Sequence, residues 1–205
     1  GTENLGLFHY NLENESIIEH SFFKGKQNLL TYDRFLTLFC DSSGIIWAGS
    51  DGEGLYKINP KTGDIKLFKN NISDKFSLSS NTIIDINEDS NQNLWVTSNY
   101  GDLNILPNKE NNIFYHKGSA KNVPVRVLSI LKSSNGTLWI GTDGNGLTKV
   151  PANSKKEIQT LTYEGTDEGF YIQALEEDKN KNIWIGTYKN GLWFYDYKKE
   201  TFSKI

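Results

Sequence analysis

Apolar residues along this chain fall in short runs rich in Ile, Val and aromatics, broken by stretches of Asn, Asp, Ser, Gly and Lys. Runs this short, with so many β-branched and aromatic side chains, predict strands rather than helices. In one unit the pattern predicts strands at Thr82–Asn87, Asn93–Ser98, Leu103–Leu106 and Ile113–His116. Between the first two, Glu88–Asn93 is rich in residues that tolerate a left-handed backbone, as is Ser133–Thr137 in the next unit. Both segments predict hairpin turns.

The pattern repeats. Ile46-Trp47-Ala48-Gly49-Ser50, Leu94-Trp95-Val96-Thr97-Ser98, Leu138-Trp139-Ile140-Gly141-Thr142 and Ile183-Trp184-Ile185-Gly186-Thr187 are one phrase, with the Trp residues spaced by 48, 44 and 45 positions. Aligned on the Trp, one column upstream holds Asp41, Asp89, Ser133 and Asp178. Two columns downstream hold Gly54, Asp102, Gly146 and Gly191, then Leu55, Leu103, Leu147 and Leu192. Gly1-Thr2-Glu3-Asn4-Leu5-Gly6-Leu7 reads without a gap against Gly186–Leu192, so the chain begins inside a repeat. Repeats of this length, each reading as four short strands joined by turns, predict an all-β fold of four-stranded antiparallel β-propeller blades. The expected division is an outer half-blade at 1–28 and blades at 29–78, 79–121, 122–166 and 167–205, about 4.5 repeats of 44–48 residues.

In such a blade the Trp and its branched neighbours are core residues between adjacent blades. The Gly before the conserved-register Leu supplies a positive φ where the chain reverses from second to third strand. Asp102 in that column implies a changed turn, and Thr97, where the other units have Gly49, Gly141 and Gly186, makes the second unit the most divergent.

The phrase W-x-G-T followed by G-L, as in Asn135–Thr142 with Gly146-Leu147 and Ile183–Thr187 with Gly191-Leu192, resembles the two-component regulator propeller repeat over essentially the whole chain. That resemblance implies the extracytoplasmic, periplasmic sensor propeller of a hybrid two-component histidine kinase in an inner-membrane protein. It also implies detection of glycan fragments and signalling of polysaccharide use, with the kinase and the membrane anchor elsewhere in the polypeptide. Four and a half blades fall short of a closed ring. A fragment of a larger propeller is therefore expected, forming a homodimer through open ends that would otherwise leave apolar faces and an unpaired edge in water.

Charge and composition narrow the partners. The net charge is -3, and Lys and Arg are spread along the chain, which does not suit phosphate neutralisation, so no nucleic-acid partner is expected. Met is absent even at position 1, suggesting a piece of a longer chain. The single cysteine, Cys40, lies in the apolar run Phe35–Phe39 and reads as a small buried hydrophobe.

No cofactor or metal site is expected. Asp51-Gly52-Glu53-Gly54 and Asp143-Gly144-Asn145-Gly146 resemble phosphate loops but are flanked by strands on both sides, so turn chemistry accounts for them. Asp89–Asn93 and Asp178–Asn182 begin like calcium loops yet lack the later Gly and Glu, and they recur at the hairpin position. His9, His20 and His116 fall on predicted third and outer strands, at no spacing that brings two onto one ligand face. Glu176, Glu177 and Asp178 read as a solvated strand end rather than an acid/base pair. No catalytic residues emerge, and this region is expected to be non-catalytic.

One rim is the candidate site. Thirteen residues before each Trp, where the inner strand starts, stand Arg34, Thr82, Arg126 and Tyr171; the loops between second and third strands carry Asp51, Tyr100, Asp143 and Tyr188. Aromatics with a few charged and amide groups suit an oligosaccharide or other small ligand, stacking on its ring and hydrogen-bonding its hydroxyls. The ligand-binding expectation is therefore Arg34, Arg126, Tyr171, Asp51, Tyr100, Asp143 and Tyr188. The alternatives are a propeller enzyme, lyase or glycosidase, which would need paired carboxylates or a His-Tyr set on the channel face of neighbouring blades, and a protein-interaction scaffold.

Overall fold

A computed structural model describes residues 7–19, 34–99, 103–108, 113–116, 126–152, 159–161 and 170–205. Among them all regular structure is β. Strands β3 (Phe35–Cys40), β4 (Ile46–Ser50), β5 (Leu55–Asn59) and β6 (Asp64–Phe68) form an antiparallel meander. The same four-strand unit recurs as β7 (Ile83–Glu88), β8 (Leu94–Ser98), β9 (Leu103–Leu106) and β10 (Phe114–His116). A third follows as β11 (Val127–Lys132), β12 (Leu138–Gly144), β13 (Leu147–Val150) and β14 (Gln159–Leu161), and a fourth as β15 (Phe170–Glu177), β16 (Ile183–Thr187), β17 (Gly191–Asp196) and β18 (Thr201–Lys204). Ahead of them β1 (Phe8–Asn11) pairs with β2 (Ser16–Glu19). The match of Gly1–Gly6 to the repeat, and the changed turn expected at Asp102, lie outside the described residues.

The first strands of successive blades, β3, β7, β11 and β15, abut one another, making an open, partial propeller. Each carries the same irregularity: its register against the second strand shifts between Phe35/Thr37, Ile83/Asp85, Val127/Ser129 and Ile172/Ala174. The extra residue is Leu36, Ile84, Leu128 or Gln173, and such a bulge re-aims a side chain while adding twist.

Between blades, the second strand of one packs on the first strand of the next. Trp47 joins Ile83, Ile86, Leu94 and Val96 of the following blade in one buried cluster, and Trp139 joins Ile172, Ile183 and Ile185 in another. Gly two residues after the Trp allows this approach. A Cβ on Gly49 would lie 2.6 Å from Ile83 Cγ2, and one on Gly141 2.5 Å from Ile172 Cγ2. In the second blade Thr97 occupies that place, and the following strand carries the shorter Val127 in the register of Ile83 and Ile172.

The Asp that recurs six residues before the Trp has two tasks. Asp89 accepts from the backbone N–H groups of Asn91 (2.8 Å) and Asn93 (2.9 Å), closing the hairpin, and from Trp95 Nε1 (2.9 Å). Asp41 does the same for Ser43, Ile45 and Trp47. Desolvation works against ionisation of Asp178, but hydrogen bonds from Asn182, Asn180 and Trp184 together hold its carboxyl below the usual range. The calcium-like motifs are therefore hairpin turns whose carboxylates are already engaged. The third blade has Ser133 there, whose hydroxyl donates within its own turn. Trp139 Nε1 is left buried with no acceptor among the described residues.

Polar staples cross the seams. Glu88 accepts from the N–H and the hydroxyl of Ser42, both at 2.8 Å, and Glu177 accepts from the N–H (2.6 Å) and hydroxyl (3.1 Å) of Ser134. Glu177 thus stands at a partly exposed strand end, as its sequence context suggests, and in addition takes its donors from the preceding blade. At the middle seam Asp85 accepts from Ile130 N–H at 2.8 Å and Ile86 N–H at 2.9 Å. Burial raises its pKa above the ordinary carboxylate value, and these two bonds only partly offset the rise.

The expectation that Cys40 is buried fails: it is exposed. With period-two alternation, Leu38 and Cys40 share the face of β3 that looks toward β1 and β2. Leu7, just ahead of β1, packs with Phe35, Ala48, Tyr56 and Ile58, and this cluster does not include Leu38 or Cys40. Leu38 is accordingly 48% exposed where Ile86 and Ile130, in the same column, are 3% and 6% exposed.

Candidate functional site

The rim is built by backbone register. In every blade the residue four after the Trp donates its N–H to the carbonyl of the residue thirteen before it: Asp51 to Arg34, Asn99 to Thr82 and Asp143 to Arg126 at 2.8 Å, and Tyr188 to Tyr171 at 2.9 Å. The two sequence columns therefore stand side by side at one end of each blade. In the second blade the register selects Asn99; Tyr100, proposed from sequence for that place, lies outside the described residues. The turns that follow are glycine-dependent, with Gly52, Gly54, Gly144 and Gly146 at φ of 107°, 113°, 92° and 80°. A Cβ on Gly54 would collide with the Phe68 carbonyl oxygen, so the phosphate-loop look-alikes are tight turns.

The rim also runs from blade to blade. Arg34 Nη1 reaches Asp51 Oδ2 at 3.1 Å, and Thr82 of the next blade donates its hydroxyl to Asp51 Oδ1 at 3.3 Å. Arg126 Nη2 donates to Asn99 Oδ1 at 3.0 Å, while its Nη1 pairs with Asp143 Oδ2 at 2.8 Å. Asp143 and Gly144 then pair with Tyr171 and Phe170 through the backbone, joining the third and fourth blades into one sheet. These ion pairs are half exposed, so they orient side chains more than they stabilise the fold.

Between the third and fourth blades the rim opens into a depression of about 550 Å³ lined by Arg126, Asp143, Tyr171 and Tyr188, together with Leu128, Gln173, Lys189 and Asn190. Four of the seven residues proposed from sequence meet here. Arg34 and Asp51 belong to the first blade's stretch of rim and do not line it. Sequence reading missed four lining residues. Leu128 and Gln173 are the bulged residues of β11 and β15, which a plain strand alternation assigns no special place. Lys189 and Asn190 follow Tyr188 in the turn and were within reach of the column argument had it been carried along the loop.

Tyr171 and Tyr188 are 38% and 55% exposed, offering ring faces to solvent, and amide, guanidinium and ammonium groups surround them. Among the described residues the lining has one carboxylate, Asp143, which Arg126 holds in an ion pair, and no second carboxylate to serve as an acid/base partner. What this arrangement can do is stack on a ring and hydrogen-bond its substituents.

Comparison with known proteins places the chain. The two-component regulator propeller model matches residues 77–100, 122–144 and 168–189, in each case the first two strands of a blade with the rim turn or its start. Histidine kinase P4 of Formosa agariphila is 37% identical over 73 residues, covering 33% of this chain and 5% of that protein. The extracellular domain of a hybrid two-component system protein of B. thetaiotaomicron superposes with a TM-score of 0.74 at 24% identity, over 98% of this chain and 27% of that one. PorZ of the Porphyromonas gingivalis type-IX secretion system gives 0.71 at 16% identity, over 100% of this chain and 32% of that one. Virginiamycin B lyase of Staphylococcus aureus gives 0.71 at 17%, over 98% and 64%. The chain thus spans about a quarter of the first of these structures, and at such identities the likenesses establish the fold alone. The blade architecture and the three matched segments together show that this chain carries two-component regulator propeller repeats in its second, third and fourth blades.

Proposed function

We propose that this chain is the extracytoplasmic, ligand-sensing propeller region of a hybrid two-component histidine kinase, and that it detects glycan fragments at the rim between its third and fourth blades. The observation that carries this reading is the depression itself, where the repeat's register gathers Arg126, Asp143, Tyr171 and Tyr188 around open space. Support for the kinase context comes from the family of the repeats, from the likeness to a histidine kinase, and from the extracellular domain of a two-component system among the structural neighbours. Ligand in the depression bridges two blades, so it favours whichever arrangement of the receptor holds them at the right separation. That differential affinity is what shifts a population toward the signalling state on the periplasmic side of the membrane.

Calorimetric titration of neutral and acidic oligosaccharides into the intact protein, with chromatography of the sugar afterwards, tests the reading. Binding without turnover, weakened about tenfold by Arg126→Ala through loss of a charge-assisted hydrogen bond, is expected. Turnover replaces the sensor with a propeller enzyme, and no heat from any sugar replaces it with a protein-interaction scaffold.

A further inference from the structure

The turns of the rim differ in charge. In the first blade the turn reads Asp51-Gly52-Glu53, in the third Asp143-Gly144-Asn145, and in the fourth Tyr188-Lys189-Asn190. The rim turn is therefore acidic at the first blade and cationic at the fourth, in a chain whose net charge is -3. Within the depression Arg126 is matched by Asp143 at 2.8 Å. Lys189 is not matched: its ammonium lies over the Tyr188 ring, 5.1 Å from the centroid, and forms no ion pair among the described residues. Among the described lining residues one positive charge is thus in excess.

Lys189 also holds a backbone position that suits glycine. Its φ is 68°, and the equivalent residues Gly52 and Gly144 have φ of 107° and 92°. Gln92 and Lys181 show the same replacement in hairpins at the other end of the blades, so backbone conformation alone does not single Lys189 out. Its place at the mouth of the depression does. A turn that glycine would serve equally well presents the one lining cation without a carboxylate, beside two exposed tyrosine rings.

The geometry points to Lys189 as the residue that selects acidic sugars, those bearing a carboxylate or sulfate, over neutral ones; this inference rests on the sugar-binding reading of the depression. The acid group pairs with the Lys189 ammonium while its ring lies against Tyr171 or Tyr188. The site is open to water, so the preference weakens as salt is added.

The test titrates trigalacturonate, a sulfated galactotriose and neutral galactotriose into the intact protein, as wild type, Lys189→Gln and Lys189→Gly. The expected result is an acidic sugar bound at least about tenfold more tightly than the neutral one, with both variants losing that margin through loss of a charged hydrogen-bond donor. Lys189→Gly should keep or raise the melting temperature, since glycine accepts this φ freely. Comparison of trigalacturonate with the sulfated sugar tells which acid group is read. Equal affinity for acidic and neutral sugars, or variants that keep the acidic margin, overturns the role of Lys189 and leaves the sugar site standing. Absence of binding by every sugar overturns the site itself.

Discussion

Where the first and second blades meet, Thr82 is short enough to donate to Asp51 across the seam at 3.3 Å, and Arg34 takes the other oxygen of that carboxylate at 3.1 Å. Where the third and fourth meet, the same backbone register holds Tyr171 in place of Thr82, with Gln173 and Lys189 nearby, and the rim stands open by about 550 Å³. The scaffold is common to both places, and the columns that vary between blades decide which one leaves open space. Function in a repeat architecture is accordingly sought where a column departs from its siblings on the loop end, because the rest of each blade is committed to packing.

Substitutions at the seams beneath the two stretches of rim give the largest effect. Gly141→Ala, below the open rim, drives a methyl against Ile172 and Ser129, and Gly49→Ala, below the closed one, against Ile83 and Thr37. Each should cost about 2 kcal/mol in denaturant unfolding, as overpacking does. Gly186→Ala, on the last blade, meets nothing closer than Ala174 Cβ at 3.5 Å and should cost no more than about 0.5 kcal/mol. An equal cost at Gly186 would show that its face packs as tightly as the other two.

Copying the closed rim into the open one comes next. If the proposed sugar site holds, Tyr171→Thr should lower sugar affinity about tenfold with little change in stability, because the stacking face is lost and the backbone pairing remains. Arg34→Ala, outside the depression, should leave affinity unchanged; a matching loss there would erase the distinction between the two regions.

Two smaller effects lie in the seams. Ser133→Asp restores to the third blade the acceptor that Asp41 and Asp89 supply in the first two, and should add about 1 kcal/mol by satisfying Trp139 Nε1. No gain would mean that the turn cannot hold the longer side chain. At the seam between the two regions, burial raises the pKa of Asp85, so the native state binds its proton more tightly than the unfolded chain does. The contribution of this group to stability is complete below about pH 4 and is lost as pH rises through the raised value. The difference in unfolding free energy between wild type and Asp85→Asn, followed from pH 4 to 7, should therefore move against wild type; a constant difference would show that Asp85 titrates normally.

Much of the fold was legible in advance because a repeat states its own period: the Trp phrase located the second strand of every blade, and the strands proposed at Thr82–Asn87 and Leu103–Leu106 overlap β7 and β9. The reading of Cys40 as buried failed for a physical reason that local pattern does not contain. A strand residue is covered only if a neighbouring blade covers it, and over Cys40 no described residue does. At the rim, the aligned columns brought Arg126, Asp143, Tyr171 and Tyr188 together on paper, since register transmits sequence spacing directly into space. Leu128 and Gln173 were missed because a bulge shifts alternation by one residue without any composition of its own.

The sequence by itself determined the all-β blade and the turn positions, since each follows from spacing and from what Gly, Asn and Asp permit locally. It also determined which residues share a column. Only the tertiary structure decided which columns face open space and which face another blade, and that Glu88 and Glu177 are seam staples. Those outcomes depend on contacts between residues more than forty positions apart, as Ser42 and Glu88 are. No local rule of propensity or periodicity reaches across a whole blade.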